Sequence, residues 1–314
     1  MKNICMTTLV LVAFSCLAFS GTRVAITVDD LPAHGPLLEG QTRIAIAKKM
    51  LEVFNKHKIP HVYAFINAGK ESKDTGKAGD REDLKSVMKL WVEMGHPLAN
   101  HTYTHPSINK ISVEEYKQQI ELNEPILKEL GSGYDWKFFR YPFLHEGADM
   151  PTRNAIRAHL KQRGYRIAQV TIDFEDWAWN EPYVRCVKTN NQKLISKLKK
   201  SFMKNAVDNL KRAEKISMAL FGRQIDHILL LHVGAFDAEM MDELLTSYKK
   251  AGVQFISLNE AAKDEVYSID PGIASKAGSE LTYQYMKSKG IKHQDIGLQP
   301  YKAYPKELIE TACI

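Results

Sequence analysis

The chain has 314 residues, of which 44% are hydrophobic and 25% are charged, so it can bury a full core and is neither disordered nor of low complexity. Its 43 Lys and Arg against 37 Asp and Glu give a net charge of +6, which is too mild to indicate a nucleic acid partner. The four cysteines form no CxxC pair, which argues against a cysteine-built zinc site or a thioredoxin-like redox motif.

The first 20 residues have the features of an export signal. Lys2 supplies a positive charge, residues 7–19 form an apolar stretch, and Ala18, Phe19 and Ser20 resemble a small-x-small cleavage site. We therefore expect cleavage after residue 20 and an exported mature protein, periplasmic or secreted, without a transmembrane span. A buried first helix is the alternative. The sequence leaves the oligomeric state open.

Strand and helix patterns alternate from residue 23 onward. Residues 23–28 form a β-branched run, and residues 42–54 carry apolar side chains at helical spacing. Further strands are predicted at 61–66, 97–99, 137–141, 165–172, 227–231 and 253–257. Further helices are predicted at 83–94, at 112–130 with a kink at Pro125, and at 152–162, 191–220 and 238–249. Because such alternation implies parallel pairing, about seven units predict an α/β fold, a distorted (β/α)7-8 barrel.

The periodicity fades after Ala262. We interpret residues 21–262 as one domain and residues 263–314 as a C-terminal extension packed on the barrel. No stretch between them has the composition of a domain linker.

Unusual polar residues fall where predicted strands end. Asp29 and Asp30 follow the first strand, His101 and His105 the third, Arg140 closes the fourth, Asp173 and Asp176 follow the fifth, and His232 follows the sixth. In a parallel α/β barrel these strand ends meet at one mouth, where catalytic residues gather.

Each cluster also has an ordinary interpretation. His101 and His105 are four residues apart, so one helical turn would align two metal ligands, but a solvated or core pair is equally compatible. Asp29 beside Asp30 is compatible with a simple turn. Arg140 lies among apolar residues and therefore implies a carboxylate partner. His232 ends an apolar strand, as a hydrogen-bonded core histidine would.

Taken together and in order, five segments resemble the motifs of the polysaccharide deacetylases, carbohydrate esterase family 4. They are Thr27-Val28-Asp29-Asp30, His101-Thr102-Tyr103-Thr104-His105, Arg140-Tyr141-Pro142-Phe143, Asp173-Phe174-Glu175-Asp176-Trp177 and Leu230-Leu231-His232. The resemblance covers about residues 23–262 and implies the distorted barrel that the strand count also indicates.

The resemblance implies that Asp30, His101 and His105 bind Zn²⁺ or another divalent transition metal, and that Asp29 is the general base. Such an ion would act as a Lewis acid and lower the pKa of a water molecule. Arg140 would hold Asp29 ionised and oriented, because a guanidinium favours the charged carboxylate.

The other motif residues are assigned to proton return and substrate binding. His232 would protonate the leaving amine, with Asp176 as its partner. By the same resemblance, the backbone N–H of Phe143 would hold the oxyanion, while Trp177 and Leu230 would line the acetyl pocket. Leu230 is equally compatible with ordinary barrel core.

The function that this resemblance implies is removal of N-acetyl groups from N-acetylglucosamine in a β-1,4-linked polysaccharide, with peptidoglycan ahead of chitin. The alternatives are a chitin oligosaccharide deacetylase, an esterase acting on acetyl-xylan or another O-acetylated carbohydrate, an amidase for a small amide, and a glycan-binding module without activity.

Two further features lie outside the motifs. Residues 188–215 carry nine Lys or Arg and two acidic residues, which indicates either a solvated helix face or a surface attracted to an anionic wall polymer. Signal removal would leave Cys186 and Cys313, which in an exported protein are either bridged or free. A bridge would tie the C-terminal tail across the catalytic face.

Overall fold

The computed structural model describes residues 21–32, 34–69, 81–131, 133–300 and 304–314, with the side chains of 81–83 left undescribed. The predicted signal at residues 1–20 lies outside the described residues. Within these ranges no helix combines the length and the apolar character needed to cross a membrane.

The strands of the described residues form one parallel sheet. They are β1 (Arg23–Leu31), β2 (Tyr63–Ile66), β3 (Leu98–Asn100), β4 (Phe138–Phe139), β5 (Arg166–Ile167), β6 (His227–His232) and β7 (Gln254–Ile256). Their order is β5-β4-β3-β2-β1-β6, and β7 also pairs with β1. The segment after β5 forms a parallel bridge to β6 between Ile172 and Leu229, which closes the curled sheet into a distorted barrel. The predicted α/β barrel is confirmed.

Helices surround this sheet. They are α1 (Arg43–Lys56), α2 (Arg81–Glu93), α3 (Val113–Leu122), α4 (Glu124–Leu130), α5 (Met150–Gln162), α6 (Asn180–Lys188), α7 (Gln192–Phe221), α8 (Ala235–Lys250), α9 (Leu258–Ala261), α10 (Leu281–Ser288) and α11 (Lys306–Thr311). The pattern predicted α1, α2, α5, α7 and α8 to within a few residues, and missed α6 and α9–α11.

The helix predicted over residues 112–130 is two helices. The break falls at Asn123, two residues before Pro125, whose missing N–H and ring disfavour a continuous helix. Asn123 is fully buried and donates from Nδ2 to the carbonyl oxygen of Ile66 at 2.6 Å. The break therefore anchors this part of the helical layer to β2.

The two faces of β1 have different partners. Val24, Ile26 and Val28 pack with residues of α1, α7 and α8 in the main core, whereas Ala25 packs with the inner residues of the barrel. Because side chains alternate along a strand, Thr27 and Asp29 follow Ala25 on the inner face. The barrel interior thus changes from apolar to polar toward the C-terminal end of β1.

The last 52 residues contact the barrel at several points. The N–H of Leu281 donates to the carbonyl oxygen of Val170 at 2.8 Å, and the Glu280 carboxylate accepts from the N–H of Asp173 at 2.9 Å. Cys186 and Cys313 form a disulfide with their Cα atoms 5.1 Å apart, so the bridged alternative is confirmed. Cys186 lies in α6.

Candidate active site

Asp29 and Asp30 both reach the barrel mouth because the strand is irregular there. Asp30 has a φ of 65°, in the left-handed region, and the pairing of β1 with β2 shifts register between Val28 and Leu31. A regular strand would direct consecutive side chains to opposite faces. Here one oxygen of each carboxylate lies near His101 Nε2, at 3.7 Å for Asp29 and 3.8 Å for Asp30.

His101 and His105 lie in the loop after β3. Thr102 and His105 have φ values of 67° and 60°, so the loop is not a helical turn, and our reason for expecting the two imidazoles on one side was wrong. The loop nevertheless brings them together, with ring centroids 4.9 Å apart. His105 Nε2 lies 3.3 Å from Asp30 Oδ1.

Asp30, His101 and His105 could hold a divalent metal ion. Their ligand atoms all lie within 4.8 Å of one another, and one carboxylate with two imidazoles suits Zn²⁺. The other ring nitrogen of His101, Nδ1, lies 2.8 Å from the carbonyl oxygen of Arg140, which orients the ring as metal-binding histidines usually are. Burial and the neighbouring His105 hold the pKa of His101 well below its ordinary value, so the ring is neutral at pH 7, as a metal ligand would have to be.

Arg140 crosses the barrel interior from the end of β4 to β1. Its guanidinium donates to Asp29 Oδ1 at 3.0 Å, to Thr27 Oγ1 at 2.8 Å and to the carbonyl oxygen of Ala168 at 3.0 Å. It also lies 4.3 Å from the centre of the Phe65 ring. The carboxylate partner expected for Arg140 is therefore Asp29.

The charge of Asp29 is set by competing effects. Burial raises the pKa of Asp29 to about 7, although Arg140 and His232 act to lower it. We had expected Arg140 to keep this carboxylate ionised, but burial has the larger effect. A carboxyl with a pKa near neutrality suits a general base.

His232, the last residue of β6, is bound twice by Asp176. Its Nδ1 lies 2.8 Å from Asp176 Oδ1, and its backbone N–H donates to Asp176 Oδ2 at 2.6 Å. Burial disfavours the charged imidazole, but the Asp176 carboxylate outweighs it and the pKa of His232 rises to about 10. His232 thus carries a proton at neutral pH.

The residues expected to bind substrate differ in exposure. Phe143 is 54% exposed and its ring lies 4.4 Å from that of His105. Trp177 is 41% exposed, with its ring 6.1 Å from that of Tyr304. Leu230 is buried two residues before His232, on the same face of β6.

Four residues near this site were missed by the sequence analysis. His34 Nδ1 lies 3.0 Å from Asp30 Oδ2. Asp237 is fully buried, and burial together with Asp176 raises the pKa of Asp237 well above its ordinary value. Glu280 contacts the loop that carries Asp176, and Gly278 packs so closely on the carbonyl of Phe143 that no Cβ would fit. None of the four lies in a motif; the only signal was the polar His34 in a Gly/Pro loop.

A groove of about 1100 Å³ runs beside the Asp176 loop, between α7 and α11. Its lining includes Glu175 at the loop, apolar Leu194 and Leu308, and the lysines Lys197, Lys200, Lys204 and Lys306. The disulfide fixes one side, because Cys313 directly follows the lining residue Ala312.

The fold is that of solved carbohydrate esterase family 4 structures. The chitin deacetylase of Colletotrichum lindemuthianum superposes with a TM-score of 0.52 at 19% identity, over 83% of this chain and 94% of that one. A family 4 pseudoenzyme from Bacillus anthracis gives 0.50 at 16% identity, over 77% and 66%. The sequence profile described as polysaccharide deacetylase matches residues 18–168, which confirms the resemblance to this family.

Sequence relatives include two peptidoglycan deacetylases. The peptidoglycan-N-acetylglucosamine deacetylase of Bacillus cereus is 29% identical over 167 residues, which are 51% of this chain and 50% of that protein. The peptidoglycan-N-acetylmuramic acid deacetylase of Bacillus subtilis is 25% identical over 218 residues, 68% and 64% of the two chains. The chain thus spans about half the length of the Bacillus cereus relative.

Proposed function

We propose that this protein is a metal-dependent hydrolase that removes N-acetyl groups from N-acetylglucosamine residues of a β-1,4-linked polysaccharide, with peptidoglycan ahead of chitin. The observation that carries the proposal is the position of Asp29, which contacts Arg140 and lies beside His101. A base held between a guanidinium and a metal-binding cluster suits activation of water.

Asp30, His101 and His105 would hold Zn²⁺ or another divalent transition ion. When bound, such an ion polarises an acetyl carbonyl and lowers the pKa of a water molecule. The neutral His101 ring and its hydrogen bond to the Arg140 carbonyl support this assignment.

Asp29 accepts the proton of the attacking water. Its pKa near 7 lets it accept this proton at neutral pH, and Arg140 fixes the carboxylate by its hydrogen bond to Oδ1. The backbone N–H of Phe143 is proposed to bind the oxyanion. The exposed Phe143 ring contacts His105, one of the proposed metal ligands, which supports a substrate position beside Phe143.

His232 donates a proton to the leaving amine nitrogen. Asp176 holds Nδ1 and the backbone N–H of His232, so Nε2 is the ring nitrogen that remains for substrate. Leu230, on the same face, and the half-exposed Trp177 are proposed to contact the acetyl methyl group.

Retention of both proton-transfer groups supports an enzyme over a glycan-binding module. The Bacillus anthracis neighbour is a pseudoenzyme, so the fold alone does not imply turnover. Binding alone would need neither Asp29 held by Arg140 nor His232 held by Asp176. These four side chains are therefore the basis for proposing an active enzyme.

We also propose an exported protein, with residues 1–20 as signal peptide, residues 21–262 as catalytic domain and residues 263–314 as an extension. The disulfide between Cys186 and Cys313 supports export, because such bonds persist mainly in oxidising compartments.

Acetate release by protein starting at residue 21 tests the function. Peptidoglycan, chitin oligomers and acetylated xylan are compared side by side, with Asp29→Asn as the matched inactive control. We expect peptidoglycan to give the fastest release. Faster release from chitin oligomers or xylan would show that peptidoglycan is not the preferred substrate. No release from any of them by metal-loaded protein would refute the proposed deacetylase activity.

A further inference from the structure

The loop that follows β1 is held firmly by two buried side chains. Arg43 of α1 donates from Nη1 to the carbonyl oxygen of His34 at 2.7 Å and from Nη2 to that of Gly35 at 2.6 Å. Asn180 donates from Nδ2 to the carbonyl oxygen of Pro36 at 2.9 Å. Gly35 has a φ of 58° and leaves no room for a Cβ against Asn180. The position of His34 is therefore built into the fold.

With His34 held in this loop and His105 in the loop after β3, each oxygen of the Asp30 carboxylate has an imidazole nitrogen beside it. Oδ1 faces His105 Nε2 at 3.3 Å, and Oδ2 faces His34 Nδ1 at 3.0 Å. Both distances fit two ligand atoms that share one ion with bonds of about 2.0–2.2 Å. The ring of His34 also lies 4.8 Å from that of His232.

We propose that Asp30, His34 and His232 form a second divalent-cation site, with Asp30 bridging it to the site of His101 and His105. The ligand atoms of the three residues lie within 4.8 Å of one another, as those of the first group do. One carboxylate and two imidazoles select Zn²⁺ or a similar transition ion over Mg²⁺ or Ca²⁺.

The surroundings of His232 resemble those of a metal-binding histidine. Asp176 binds Nδ1 at 2.8 Å, which leaves Nε2 as the ligand atom. A carboxylate on the far nitrogen is the usual support for an imidazole that binds a metal ion. His232 can therefore serve either as a proton donor or as a ligand.

The second site would be inhibitory, an inference that rests on the proposed function. A ligand imidazole must be deprotonated, so an ion on His232 Nε2 occupies the position of the proton that the leaving amine needs. Catalysis would therefore fall as the concentration of free Zn²⁺ rises.

Zinc content measures the site without any assay of activity. Chelated protein starting at residue 21 is titrated with ZnSO₄ and analysed by calorimetry and elemental analysis. We expect two ions per chain in the wild type, one in His34→Ala, and two in His159→Ala, a control histidine on α5. Anomalous diffraction from zinc-soaked crystals should show two peaks roughly 4 Å apart. One ion per chain in the wild type would overturn the proposal.

Inhibition by zinc is then compared within each protein. In the wild type and in His159→Ala, the rate at excess ZnSO₄ should be at least 10-fold lower than the rate at one equivalent. In His34→Ala the two rates should be nearly equal. Equal ratios in the three proteins would overturn the inhibitory role. Two bound ions in a protein that releases no acetate would instead contradict the proposed function and leave the second site standing.

Discussion

Asp29 and His232 are register partners on the neighbouring parallel strands β1 and β6. Each has its own buried partner, Arg140 for Asp29 and Asp176 for His232. The two groups assigned to proton transfer are thus fixed by strand pairing, while His101 and His105 lie in a loop. Substitution of the base Asp29 should therefore leave the metal site of Asp30, His101 and His105 intact.

Replacing Asp29 with Asn tests its role as the base. The amide keeps the shape of the side chain but cannot accept the proton of water, so we expect kcat to fall by about 100- to 10,000-fold with the metal content unchanged. Acetate release and elemental analysis on the same sample check this. A metal-loaded variant of nearly normal rate would remove Asp29 from the mechanism.

Replacing His101 with Ala tests the proposed metal ligands. It removes one of three ligands, so Zn²⁺ affinity should fall by more than the roughly 10- to 100-fold that loss of an outer hydrogen-bond partner costs. Competition with a chelator measures the affinity, and His159→Ala is the control. Unchanged affinity in His101→Ala would refute the assignment.

The sequence was sufficient to predict which residues form the site, but not the backbone geometry that brings them together. Parallel strands place their C-terminal ends together, so polar residues after five strands were sufficient to predict that Asp29, His101, Arg140 and His232 would meet. The route by which His101 and His105 converge was not predictable, because it depends on left-handed backbone at Thr102 and His105 rather than on a periodic pattern.

Residues contributed by distant segments were missed for a different reason. Glu280 reaches the loop of Asp173 from 107 residues away, and α10, with eight residues, is too short to give a clear periodic signal. The helix α6 follows the fourth motif directly and contains Pro182, which obscured it. Such contacts follow from tertiary packing, which local patterns do not encode.

Loss of the disulfide should destabilise the protein. The bond closes a segment with a sequence separation of 127, so Cys186→Ser with Cys313→Ser should cost about 2–5 kcal/mol in the free energy of unfolding. Urea unfolding checks this, and thiol counting on denatured, unreduced protein verifies the bridge. Two free thiols per wild-type chain would contradict it.

The lysines of α7 should contribute to polymer binding. Lys199 is paired with Glu239 at 2.6 Å, so we assign the attraction to its neighbours Lys197 and Lys200, which both line the groove. Lys197→Glu with Lys200→Glu should weaken binding to peptidoglycan sacculi several-fold at low salt, and added salt should weaken binding of the wild type.

The charge-matched control is Lys48→Glu with Lys89→Glu, two exposed lysines outside the groove. Equal retention of wild-type protein on sacculi at low and high salt would show that the basic helix is an ordinary solvated face.

Acid should remove the stabilisation that Glu124 gives to the start of α4. Its side chain is 4% exposed, and although burial acts to raise its pKa, hydrogen bonds from Arg163 and Lys137 lower the pKa of Glu124 to about 2. A carboxyl whose pKa is lower in the folded state stabilises the fold fully above its unfolded pKa of about 4.3, and this stabilisation is lost as pH falls toward 2.

Glu124→Gln should therefore lower the free energy of unfolding by roughly 2 kcal/mol at pH 7 and by clearly less at pH 3. Urea unfolding at both pH values measures the difference, with the exposed Glu129→Gln of the same helix as control, and an equal cost at both would refute this pKa assignment.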